Sequence, residues 1–142
     1  MLASNGFNHC SMQRTDFGSY VTGLTTSKFA LSPRGVGINN FREWEALTLG
    51  AIPIIHRSPQ HHYVYQDLPA VQVDSWDLVT PSFLDDEWKR ISAEIKEGKY
   101  NKNRAFWPFW MHELIQWLEL DESEKHGVMQ PLTQPNERHE DL

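Results

Sequence analysis

Arg34, Gly35, Gly37, Asn40, Arg42 and Glu45 fall within one short stretch, SPRGVGINNFREWE, and their types suit the binding of a phosphorylated sugar or nucleotide. Arg34 offers a planar fork of donors that matches phosphate oxygens. Gly35 and Gly37 permit positive φ and let a ligand approach the backbone closely, and a helix starting after Asn40 points unpaired amides and the positive end of its dipole the same way. Together these read as a diphosphate cradle. RGVG fits neither the dinucleotide fingerprint nor the P-loop spacing, so an ordinary strand-to-helix loop with a solvated Arg34 answers the same pattern.

Glu45 adds a second kind of chemistry. At about 100° per residue it falls between Phe41 and Leu49 on the helix surface, whereas Glu43 falls opposite, toward solvent. A carboxylate on an apolar stripe needs a partner, because an unpaired buried charge is costly. That partner is either Arg42, three residues before it, or a ligand with vicinal hydroxyls such as a ribose. Glu43, three residues after Asn40, is expected to be a capping-box residue and nothing more. His56, His61 and His62 follow the next strand, but neither their spacing nor a Cys pair signals a metal site. Trp107, Trp110 and Trp117 recur at helical spacing and read as core, as do Trp76 and Trp88. Cys10, the single cysteine, has no activating neighbour in the sequence and is expected to be inert.

The elements that must position these residues alternate. Phe17 to Thr26 suits a helix loosened by Gly18 and Gly23, and Lys28 to Ser32 suits a buried strand ending at Pro33. Asn40 caps a helix from Phe41 to Leu49 that stops at Gly50, and Ile52 to Ile55 and Ala70 to Val73 supply two further strands. Strand, helix, strand in so few residues is a βαβ unit with parallel strands. Thr80 and Pro81 open a helix with Leu84, Trp88, Ile91 and Ile95 on one face and Gly98 beyond its end. A last helix is expected over about Arg104 to Leu120, with Phe106, Trp110, Leu114 and Trp117 along one stripe and a kink at Pro108. The fold class is therefore α/β, a partial Rossmann-like parallel sheet flanked by helices. Ligands of such sheets bind beyond the C-terminal strand ends, where residues 32 to 43 lie.

The chain has 142 residues, 39% of them apolar and 23% charged, with a net charge of −6. That charge argues against nonspecific nucleic-acid binding. Ala46 to Ile55, the longest apolar stretch, is interrupted and too short to span a bilayer, and the first residues carry no basic and apolar regions of a secretory signal. Residues 121–142 hold −4 of the charge together with Pro131 and Pro135 and read as a flexible, disordered acidic tail. The expected organisation is an N-terminal extension over 1–16, an α/β domain over 17–120 and that tail.

The runs KFALSPRG (28–35), FREWEAL (41–47) and GAIPII (50–55) resemble the donor-binding half of exostosin-like glycosyltransferases, and the likeness continues more loosely through Leu68, Pro69, the 71–76 region and the Trp110 helix. The resemblance implies the C-terminal half of the two-domain GT-B architecture and an inverting transfer from a UDP-sugar to a glycan or protein acceptor. It implies that Arg34 and Gly35 lie at the diphosphate, Glu45 at the ribose, and Asn40 and Arg42 at the phosphates or sugar. No cofactor or metal is implied, since the UDP-sugar is a substrate and Arg34 with helix-start amides can offset the leaving diphosphate's charge. The histidines after the second strand are then exposed loop residues or contacts to the donor sugar.

The family places the acceptor and the catalytic base on an N-terminal domain, and neither that domain nor a membrane anchor is present in these residues, so no catalytic residue is nominated here. The expectation is an incomplete donor domain, whether a fragment, a truncated gene model or a degenerate copy, that is not active by itself and is Golgi-lumenal if the full-length protein carries an anchor. A noncatalytic α/β binding or interaction module that keeps the phosphate cradle is the alternative. A receiver-type domain lacks the acidic cluster it would need after a first strand.

Overall fold

The computed structural model describes residues 5–7, 16–35 and 40–120. Cys10, Gly37 and the acidic tail at 121–142 lie outside them. The chain divides into two compact units, 1–106 and 107–142. In the first, α1 (Phe17–Thr26), β1 (Phe29–Leu31), α2 (Phe41–Leu49), β2 (Ile52–His56), α3 (Pro59–Tyr65), β3 (Val71–Val73) and α4 (Pro81–Lys96) follow in order, with 3-10 turns at Trp76–Leu78 and Lys102–Ala105. The second contains α5 (Trp107–Glu119).

The three strands pair in the order β1-β2-β3, all parallel. Phe29 is opposite Ile52, and Ile54 is opposite Val71. This is an α/β fold in which a small parallel sheet carries helices on both faces. Strand alternation divides the core: Ile52, Ile54, Val71 and Val73 pack with Val79 and Ile91 of the α4 side, joined by Phe29, Leu31, Trp76, Leu84 and Trp88. Ala30 turns the other way, with Ala46, Ala51 and Leu24, and Ile55 packs with Tyr65 and Leu68.

Local chemistry accounts for the element ends. Asp16 accepts the Ser19 amide at the start of α1, Asn40 accepts the Arg42 amide at the start of α2, and Thr80 accepts the Phe83 amide ahead of Pro81. Gly50, at φ 90°, closes α2 in the left-handed conformation that a side chain disfavours. Within the expected N-terminal extension, Asn5 is anchored: its carboxamide donates to the carbonyls of Trp76 and Val79, at 3.0 Å each.

Several expectations are corrected. A helix, α3, stands where the sequence reading placed only a histidine-bearing segment, so a second βαβ connection follows the first. Its start has a signal in Ser58-Pro59, since proline fits the first helical position, and the Ser58 carbonyl accepts the His62 amide. The apolar face of α4 ends at Ile91, and Ile95 is exposed. Pro108 is the second residue of α5 and so begins that helix without kinking it, while residues 102–105 form a separate 3-10 turn. None of the described residues of α5 is buried: Trp107, Leu114 and Trp117 are exposed and Trp110 is half-buried, and Phe106 at the end of the first unit is exposed. Among the described residues no helix is long and apolar enough to cross a membrane.

Candidate functional site

Where β1 gives way to α2, beyond the C-terminal end of the strand, the surface opens into a cleft of about 730 Å³. Arg34, Gly35, Asn40, Arg42 and Glu45 all line it, with Phe17, Tyr20, Pro33 and Phe41 completing the wall. The parallel strand delivers the chain to Pro33 and Arg34, the Asn40 cap starts α2 at the cleft edge, and one turn of helix then carries Arg42 and Glu45 along it.

Asn40 is the joint of this site. Its Oδ1 accepts the Arg42 amide at 3.0 Å, and its Nδ2 donates to the Pro33 carbonyl at 3.1 Å and to Glu43 Oε1 at 3.0 Å. Both amide hydrogens are therefore committed within the protein, so Asn40 stands here as a residue that ties the strand exit to the helix start and not as a free donor to phosphate.

Glu43 is not a solvent-facing cap. It is fully buried, with one carboxylate oxygen taken by Asn40 and the other by the hydroxyl of Tyr65 from α3. Burial, followed by the neighbouring Glu43 carboxylate, pushes the Tyr65 hydroxyl far above the usual tyrosine range, so it stays a proton donor. The inward face of α2 runs through Glu43 and Ala46, and Phe41, assigned to the apolar stripe in the sequence reading, is instead 86% exposed at the cleft. The spacing of Glu43, Ala46 and Leu47 carried that signal, at i, i+3 and i+4.

Glu45 is half-buried, and its partner is a residue the sequence reading did not consider: the Tyr20 hydroxyl on α1 donates to Oε2 at 2.6 Å. Burial, then the Glu45 carboxylate, raises the Tyr20 pKa, with the Arg42 charge opposing them. Tyr20 thus holds one carboxylate oxygen and leaves Oε1 for a ligand hydroxyl. Arg34 and Arg42 are exposed, and neither forms an ion pair among the described residues. The cleft consequently carries two guanidinium charges against one carboxylate, a balance that favours an anionic ligand.

Among the described residues nothing lies within 4 Å of a Cβ added at Gly35, and its φ is not positive, so its contribution is not a left-handed turn. Neither His56 nor His62 lines the cleft: His56 pairs through Nδ1 with the Arg57 carbonyl at 3.0 Å and His62 is exposed on α3, while the His61 side chain lies outside what is described. Among the described residues no group of three or more His, Cys, Asp or Glu is placed to hold a metal ion. Compared with known proteins, the chain matches no protein-family model and no curated protein.

Proposed function

We propose that this chain is the donor-binding half of an exostosin-like, inverting glycosyltransferase of GT-B architecture, and that the cleft holds the nucleoside diphosphate of a UDP-sugar. The observation that carries the reading is that one open cleft gathers Arg34, Gly35, Arg42 and Glu45, with Asn40 fastening its edge. Arg34 and Arg42 offset the diphosphate charge, the bare backbone at Gly35 admits the phosphates closely, and Glu45 accepts from a ribose hydroxyl. An acceptor hydroxyl, deprotonated by a base outside the described cleft, attacks the anomeric carbon from the face opposite the diphosphate. The carbon–oxygen bond to UDP breaks as the new glycosidic bond forms, and the configuration inverts. No cofactor enters this scheme.

Titration of UDP and several UDP-sugars against the wild type and Glu45→Ala tests it by calorimetry. Binding by the wild type that weakens at least tenfold in the variant supports the donor site. A folded wild type that binds none of them overturns it.

A further inference from the structure

Two phenylalanines flank the Tyr20–Glu45 pair in the same cleft. Phe17 begins α1, one turn ahead of Tyr20, and Phe41 begins α2, one turn ahead of Glu45. At i, i+3 and i, i+4, each ring shares a helix face with its helix's member of the hydrogen-bonded pair. Both rings are far out in solvent, Phe17 at 76% and Phe41 at 86% exposure. Single exposed apolar residues are ordinary on a protein surface. What sets these apart is that both line one cleft, on its two helices, beside a hydrogen-bonded carboxylate and two arginines that form no ion pair among the described residues.

We infer that Phe17 and Phe41 form an aromatic clasp that stacks on the base of the bound nucleotide. The inference rests on the donor-site reading and names the part of the ligand that reading left without a partner. The arginines suit the anionic end, and Glu45 suits the hydroxyl-bearing ring. Neither can hold the planar, weakly polar base. A π-face is what exposed phenylalanine rings bind well, because stacking removes apolar surface from water on both partners and tolerates any base. Tyr20 belongs to the same arrangement as a positioning residue, since its hydroxyl, one turn from Phe17, fixes Glu45, one turn from Phe41.

The test titrates UDP and inorganic pyrophosphate against the wild type, Phe17→Ala, Phe41→Ala and the Phe→Tyr counterparts, with thermal unfolding as the folding control. Because both rings are exposed, the alanine variants are expected to melt with the wild type. Support is a loss of UDP affinity of roughly 5- to 150-fold in the alanine variants, the range of one lost base–aromatic stack, with pyrophosphate binding unchanged and UDP binding restored by tyrosine. Transferred nuclear Overhauser effects between uracil protons and phenylalanine ring protons would support it independently. UDP affinity that is unchanged in the alanine variants, or lost in parallel with that for pyrophosphate, overturns the clasp and leaves the donor site standing. Wild-type binding of UDP no tighter than that of pyrophosphate does the same. A folded wild type that binds neither overturns the donor-site reading, and the clasp falls with it.

Discussion

The hydroxyl of Tyr65, on α3, donates to the buried carboxylate of Glu43, on α2, and the second oxygen of that carboxylate accepts from Asn40 at the cleft edge. A carboxyl group with no exposure is thus satisfied at both oxygens, and it links a core tyrosine to the residue that fastens the strand exit to the helix start.

Tyr65→Phe leaves one oxygen of Glu43 buried without its donor, which costs about 1–3 kcal/mol. The urea midpoint should fall with an unchanged m-value, because the surface exposed on unfolding is the same. A midpoint equal to that of the wild type would show that the hydroxyl contributes nothing to stability.

Arg34→Ala and Arg42→Ala should each weaken UDP binding by roughly tenfold or more, the worth of a charge-assisted hydrogen bond, while binding of uridine stays the same. Added salt should reduce UDP affinity in the wild type more than in either variant. Equal losses for uridine and UDP would remove the diphosphate from these arginines.

Two glycines should respond differently to alanine. Gly50→Ala places a side chain at φ 90° in open space, so it should cost about 1–2 kcal/mol of stability from backbone strain alone. Gly35→Ala meets no atom of the described residues and has no positive φ, and should leave stability within about 0.5 kcal/mol. It should nevertheless weaken UDP, because the new Cβ stands where the phosphates approach the backbone. Denaturation and calorimetry on the two variants check both outcomes, and a destabilised Gly35→Ala with intact UDP binding would reverse the assignment.

Stability should decline in alkali. Tyr20, Tyr65 and Tyr100 all have raised pKa values, caused first by burial and then by the carboxylates of Glu45, Glu43 and Glu94, and Tyr100 is pushed up to about 12. The unfolded chain loses these protons near pH 10 while the folded chain retains them. Stability is therefore fully present below about pH 10 and is lost as pH rises through the folded values. Urea midpoints measured from pH 8 to 12 should be level and then fall, with a shallower fall in Tyr100→Phe. A midpoint that holds steady to pH 12 would contradict the shifts.

The sequence by itself determined the parallel βαβ order, the Asn40 and Thr80 caps, the Gly50 stop and the gathering of Arg34, Gly35, Asn40, Arg42 and Glu45 at one strand-to-helix junction. These depend on neighbours within a few residues, where capping, glycine stops and apolar periodicity act. The tertiary structure decided which partner each polar group found. Arg42 and a ligand were the partners that short-range geometry offers Glu45, yet its contact is Tyr20, 25 residues away; Glu43 meets Tyr65, 22 residues away. The exposure of Phe41 likewise depends on which side of α2 meets the sheet, and helical periodicity marks an apolar stripe without saying what lies opposite it. Buried carboxylates take whatever donors the packed helices bring near them, and only the assembled α1, α2 and α3 supply those donors.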